Sequence, residues 1–210
     1  MATFLLIRHG ENDWIRRGII AGRTPGVHLN DAGREQAQRL AEFLSRGSIH
    51  QLFSSPVDRA RETAESVAAK LGLLLNISEA IQEVNFGDWT GKPVAELDKL
   101  EGWKQWNTIR SIGQIPNGES MRDVQTRFVT EVERLRREFP DKTIALFSHG
   151  DPIRAAICYY LGMPLDMLLR LEVSYTSITE FHISDWSIRF ETINYCPTSS
   201  ESHPALHLLH

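Results

Sequence analysis

Phe4-Leu5-Leu6-Ile7-Arg8-His9-Gly10-Glu11 and Ile144-Ala145-Leu146-Phe147-Ser148-His149-Gly150-Asp151 are two versions of one phrase. Each sets an apolar run before a single polar residue, then His-Gly, then an acid. A short apolar run bounded by turn signals reads as a buried strand. In an open α/β sheet, ligands bind beyond the carboxyl ends of the strands, so both histidines are expected at a site. Adjacent strands would bring them together. The glycine after each histidine permits a tight turn and the close backbone approach of a ligand-facing loop.

Outward from these strands the pattern alternates. A polar segment rich in Gly and Arg, from Arg8 to Asn30, reads as a large loop. Ala37, Leu40, Ala41 and Leu44 then fall at helical spacing, with Asn30 or Asp31 as N-cap and Gly47 as the stop. Gln51 to Phe53 reads as a strand. Ser55 and Pro56 open a second helix, whose face Ala60, Ala64, Val67, Ala68 and Leu71 ends at Gly72. A strand at Leu73 to Ile77, a structured loop at Glu83 to Lys92 and a short helix from Pro93 follow. Ser120 with Asp123 forms a capping-box pattern ahead of Met121, Val124, Phe128, Val132, Leu135 and Phe139. After the second strand phrase, Asp151 and Pro152 begin a helix that Gly162 closes. Tyr175 to Ile183 and Trp186 to Asn194, joined at Ser184 and Asp185, read as an antiparallel hairpin. Strands alternating with helices predict a three-layer α/β fold, a mainly parallel sheet flanked by helices on both faces. With no Pro/Gly/Ser linker before Pro197, one domain is expected over residues 1–195 and a loosely ordered tail over 196–210. The hairpin's outer edge offers a surface for a homodimer.

Composition bounds the partners. The 210 residues carry 23 basic and 27 acidic side chains, a net charge of −4, with 41% hydrophobic residues to build a core. A mildly acidic chain with scattered cations lacks the dense basic face that nucleic acid requires. No run free of Asp, Glu, Lys and Arg exceeds 11 residues, well short of the roughly 18 apolar positions of a membrane-spanning helix. Met1 to Ile7 stops at Arg8 with no basic leader before it. Cys158 and Cys196 are too few for a disulfide framework. A cytoplasmic protein that contacts neither membrane nor nucleic acid is the expectation, and any anion must be bound locally.

The arginines narrow the ligand to phosphate. Arg8 precedes the first His-Gly, and Ser54-Ser55-Pro56-Val57-Asp58-Arg59-Ala60-Arg61 places more guanidinium just after another strand. Guanidinium forks and helix N-termini both suit phosphate oxygens. Arg61 reads as ordinary helix surface, paired with neighbouring acids. With Glu83 before Phe86-Gly87-Asp88-Trp89-Thr90-Gly91, and with Gly118-Glu119-Ser120, these motifs over about residues 3–194 resemble the histidine phosphatase superfamily, the phosphoglycerate mutase-like enzymes.

That resemblance implies a metal-independent phosphoryl transfer through a phosphohistidine, with no cofactor. It implies His9 as nucleophile, Arg8 and Arg59 as the phosphate clamp, His149 as a second phosphate ligand and Glu83 as proton donor to the leaving oxygen. The chemistry agrees. A neutral imidazole is a good nucleophile near pH 7, fixed donors stabilise the charge on a transferring phosphoryl group, and an alkoxide leaves well only when protonated. Gly150 is expected to contact phosphate. Glu11 and Asp151 read equally well as turn or cap residues.

Departures from the family bear on substrate. Mutase members typically carry a phosphate-contacting Asn where this chain has Ile15, so Asn12 is the candidate to replace it. Asp151 stands where those mutases usually have Asn and would repel a second anionic group. Between Trp103 and Pro116 only Lys104 and Arg110 are cationic. These features favour a phosphatase of small phosphomonoesters; the alternatives are a cofactor-dependent phosphoglycerate mutase and a non-catalytic phosphate-binding protein. Arg23 is a candidate substrate contact, or a bridge between loop carboxylates. Trp103 and Trp106 read as core. No His-Glu-x-x-His or Cys-x-x-Cys spacing supports a metal site, and His203, His207 and His210 lie in the polar tail.

Overall fold

The computed structural model describes residues 1–197, so His203, His207, His210 and most of the expected tail lie outside the described residues. Along the chain the elements are β1 (Ala2–Arg8), α1 (Asp13–Arg16), α2 (Asp31–Leu44), β2 (Gln51–Ser54), α3 (Asp58–Leu71), β3 (Leu75–Ile77), α4 (Val94–Leu97), α5 (Glu101–Thr108), α6 (Met121–Glu138), β4 (Thr143–Ser148), α7 (Gly150–Leu161), β5 (Ile178–Ile183) and β6 (Ile188–Tyr195). Short 3-10 turns fill three of the loops.

The six strands form one sheet in the order β3-β2-β4-β1-β5-β6. Strands β1 to β4 run parallel. The expected hairpin, β5 and β6, runs antiparallel at one edge, which makes the sheet mixed there. Both central strands are covered on both faces, which is why they read as unbroken apolar runs. Phe4, Leu6, Ile144 and Leu146 pack toward α6 and α7 through Phe128, Val132, Ile153 and Ile157. Leu5, Ile7, Ala145 and Phe147 face α2 and α3 through Leu40, Leu44, Ala64 and Val67. A third cluster under the loops holds Trp89, Trp103 and Trp106 together, with Trp89 and Trp103 edge to face at 5.3 Å. The tryptophans are core, as expected, and they anchor the excursion that carries Glu83.

The caps explain most boundaries. Asn30 accepts from Gly33 N to start α2, and the Ser120–Asp123 capping box starts α6. Gly72 and Gly162 end α3 and α7 in the left-handed region, at φ of 66° each. Helix α2 stops at Ser45 rather than Gly47, α3 begins after Val57 rather than at Ser55, and α7 begins at Gly150. Helix α5 escaped the sequence pattern because its eight residues hold only two apolar repeats, Trp103 and Trp106. Among the described residues no helix is long and apolar enough to cross a membrane.

Candidate active site

The register of the central strands builds the site. Arg8 lies opposite Ser148 in the parallel β1/β4 pairing, so His9 and His149 leave neighbouring strands at one level. Their rings meet edge on, with centroids 5.1 Å apart, and both are fully buried. His9 Nδ1 lies 2.7 Å from the Gly10 carbonyl, which can only accept. Nδ1 therefore carries the proton, and the lone pair is on Nε2. Burial, then the charges of Arg59 and Arg8, hold His9 well below the ordinary histidine value, so the ring is neutral. His149 is depressed in the same way, by burial first and Arg59 next. Its Nε2 donates to Ser55 Oγ at 2.8 Å, which leaves Nδ1 to accept from Arg59 Nη2 at 3.2 Å.

Arg59 joins these groups. It stands in the first turn of α3, just beyond β2, with no exposed surface. Its Nε donates to His9 Nε2 at 3.1 Å and its Nη2 to the Gly22 carbonyl at 2.9 Å. Arg59 Nη1 is buried and has no hydrogen-bond partner among the described residues; Arg8 Nε and Asn12 Nδ2 are in the same condition. Buried donors without acceptors are costly and uncommon, and these three can serve an anion. Arg8 donates through Nη1 to the Val173 carbonyl at 2.7 Å, and its guanidinium lies 4.2 Å from the Tyr175 ring centroid.

Glu83 faces the same centre. Its Oε1 accepts from Val84 N at 2.9 Å, while Oε2 lies 3.6 Å from Arg59 Nη2 and 3.7 Å from His149 Nδ1. Burial raises the carboxyl above its ordinary value, Arg59 opposes that, and Asp151 adds to it. The Glu83 backbone is held as well. Arg23 Nε and Arg127 Nη2 both donate to its carbonyl, at 2.7 and 3.1 Å, and both arginines bond to Glu119. Arg23 thus ties the Glu119 carboxylate to the Glu83 backbone, and it is not among the residues that line the cleft in front of Glu83.

That cleft has a volume of about 190 Å³, and Arg8, Glu83, Gly22 and Gly150 line it. Gly150 opens α7. A Cβ there would lie 3.2 Å from Arg154 Nη1 and 3.6 Å from Arg8 Nε, so the glycine leaves the two guanidinium groups exposed to the cleft. Asn12 is fully buried and caps α1, its Oδ1 accepting from Ile15 N at 3.0 Å. Gly10 serves a different contact from the one its sequence suggests: a Cβ would come within 2.7 Å of the Gly33 carbonyl, so the glycine lets β1 abut the start of α2.

Some supporting residues gave no sequence signal. Thr63 Oγ1 accepts from Gly10 N at 3.0 Å and donates to the Arg59 carbonyl at 2.7 Å, tying the chain beside His9 to Arg59. Arg127 lies a full helical stretch from any motif. Asp151 is neither a turn residue nor a bare negative charge: Arg110 Nη1 and Arg154 Nη1 donate to it at 2.8 and 3.1 Å. Burial pushes its carboxyl up, but the two arginines outweigh burial and hold it below the ordinary value. As expected, Arg61 pairs with Asp58 and Glu65 on the helix surface.

Residues 4–195 match the family model described as histidine phosphatase superfamily, branch 1. Phosphoglycerate mutase-like protein 4 of Arabidopsis thaliana is 34% identical over 196 residues, covering 90% of this chain and 84% of its own. Phosphoserine phosphatase 1 of Hydrogenobacter thermophilus is 29% identical over 187 residues, 88% of each chain. The crystal structure of a mutant phosphoserine phosphatase from Entamoeba histolytica with phosphoserine superposes with a TM-score of 0.83 at 27% identity, covering 92% of this chain and 97% of that one. With the paired histidines on parallel strands and a family match over almost its whole length, the chain belongs to branch 1 of the histidine phosphatase superfamily.

Proposed function

We propose that the protein is a phosphatase that hydrolyses small phosphomonoesters, without a metal, through a phosphohistidine on His9. The observation that carries this reading is the set of buried, unpartnered donors, Arg59 Nη1, Arg8 Nε and Asn12 Nδ2, in the same region as a histidine whose Nε2 bears the lone pair.

The phosphate enters with its oxygens on Arg8, Arg59, Asn12 and the start of α7 at Gly150. Phosphorus takes the place of Arg59 Nε in front of His9 Nε2. As the N–P bond forms and the P–O bond breaks, Glu83 Oε2 gives its proton to the leaving alkoxide, and the alcohol departs. The three equatorial oxygens gather charge in this step, and Arg8, with Arg59 shifted from His9 onto the phosphate, meets it. A dianion beside His149 favours its protonated form; Nδ1 takes that proton from water as the substrate binds, donates to the phosphoryl group, and returns the proton to water when phosphate leaves. Water then attacks phosphorus, Glu83 carboxylate takes its proton, the N–P bond breaks and the lone pair returns to His9. Unpaired Cys158 and Cys196 support the cytoplasmic setting within this proposal.

The test is hydrolysis of p-nitrophenyl phosphate in excess EDTA, wild type beside His9→Ala, with acid-labile phosphate trapped on the enzyme. The expected result is activity that survives chelation, is lost in the variant, and leaves phosphate on His9. Activity that EDTA abolishes, or that His9→Ala retains, overturns the reading.

A further inference from the structure

The residues that lead into β5, Val173 to Ser177, hold Arg8 at four points. Thr176 N donates to the Arg8 carbonyl at 3.0 Å, and Arg8 N donates to the Ser177 carbonyl at 3.3 Å. Arg8 Nη1 donates to the Val173 carbonyl at 2.7 Å, and the guanidinium carbon stands over the Tyr175 ring, 4.2 Å from its centroid. This segment is itself braced from the hairpin, because Asn194 Oδ1, near the end of β6, accepts from Ser174 N at 2.7 Å. Thr176 sits at φ 52°, a left-handed conformation that a β-branched residue rarely adopts. Such a conformation persists only where its surroundings fix it, and it recurs where a site needs a group held in one place.

The Tyr175 ring is half-buried and, among the described residues, belongs to none of the three apolar clusters. It stands against Arg8 and against the His9 ring, whose centroid is 6.1 Å from its own. An aromatic face attracts a guanidinium. With Nη1 held at Val173 and the guanidinium carbon held over the ring, the planar group has little freedom left, and its unpartnered Nε keeps one direction. We propose that Tyr175 is a positioning residue for Arg8, whose ring fixes the guanidinium so that Nε is ready for a phosphate oxygen. The inference rests on the reading of Arg8 as part of the phosphate clamp and adds to it the group that sets the clamp before substrate arrives.

A double-mutant cycle tests it. We measure kcat/KM on p-nitrophenyl phosphate and the dissociation constant of inorganic phosphate for the wild type, Tyr175→Phe, Tyr175→Leu, Arg8→Met, and Tyr175→Leu together with Arg8→Met. Phosphate-free melting temperatures report on the fold. Tyr175→Leu is expected to weaken phosphate binding and lower kcat/KM by about tenfold each, with little change in melting. Tyr175→Phe, which keeps the ring, is expected to stay within about threefold of wild type in both. In the Arg8→Met background Tyr175→Leu should change either quantity by less than about twofold, since the group it positions is gone. Should Tyr175→Leu fail to fold, Tyr175→Met, with an unbranched side chain, takes its place in the cycle. Equal losses from Tyr175→Leu in both backgrounds, or a Phe variant as damaged as the Leu variant, overturn the proposal. If phosphate binds but no ester is hydrolysed, the phosphatase reading fails, and the dissociation constants alone decide this one by the same ratios. A wild type that binds no phosphate overturns it.

Discussion

On the proposed mechanism, replacing Glu83 by Gln removes proton donation while keeping the size of the side chain. Glutamine keeps the volume, and its carbonyl can keep the 2.9 Å bond from Val84 N that Glu83 Oε1 accepts. The amide nitrogen would then occupy the place of Oε2, between Arg59 and His149, and it has no proton to give up. General acid catalysis contributes about 10²- to 10⁴-fold where the leaving group is poor, or about 3 to 5 kcal/mol of barrier. An alkyl phosphate should therefore lose that factor in kcat/KM, while p-nitrophenyl phosphate, whose phenolate leaves unaided, should lose less than ~10-fold. The ratio kcat/KM is the right quantity because it reports formation of the phosphoenzyme and excludes its later hydrolysis. The pH profile supplies a second readout. An acid whose value burial has raised stays protonated to a higher pH than a free carboxyl, so the wild-type rate on alkyl esters falls as pH rises through that value. Glu83→Gln should lack this limb. Its slowed second step, which has lost the base that activates water, should also leave phosphohistidine accumulating on aryl esters as a burst. Equal losses in kcat/KM on both ester types would refute the reasoning.

Inorganic phosphate should stabilise the folded protein, because it supplies the acceptors that Arg8 Nε and Arg59 Nη1 lack. At 100 times its Kd the gain is about 2.7 kcal/mol, or roughly 5 to 10 °C in thermal denaturation, and Arg59→Met should abolish it. Glu180 lies in the middle of β5 with no exposed surface, and burial first, then Glu191, raises its carboxyl to about 7. A carboxyl raised on folding stabilises the protein only while protonated. That contribution is complete below the unfolded value near 4.5 and is lost as pH climbs to about 7. Glu180→Gln should remove the loss, gaining up to about 3 kcal/mol on wild type between pH 4.5 and 8 in urea denaturation; parallel pH curves for the two proteins would contradict it. Gly33→Ala should cost about 1 to 3 kcal/mol of stability, since its Cβ would press on the Glu11 carbonyl, and it should lower kcat/KM by shifting the chain next to His9. Unchanged melting and activity would show that this contact relaxes freely.

What could be read from the sequence was whatever depends on the chain's local direction. An apolar run ending in His-Gly fixes a strand and the end from which its histidine emerges, and repeating that phrase in a parallel sheet brings two histidines to one edge. Arg59 was legible for the same reason, as the first turn of a helix that leaves a neighbouring strand. Ser55, Thr63 and Arg127 were not, because each acts through a partner more than 40 positions away. No spacing rule marks a hydroxyl or a guanidinium that will meet its partner only after the sheet has closed.

Asp151 shows how the same limit reaches into function. From sequence it is a negative charge beside a phosphate site and implies repulsion. In the fold it is the acceptor that holds Arg110 and Arg154 in place. The arginine from the α5–α6 segment and the arginine from α7 both donate to it, so one negative charge stands between two positive ones. The repulsion that the sequence implies therefore does not carry over to the folded site, because the carboxylate that would cause it is outnumbered by the cations it holds.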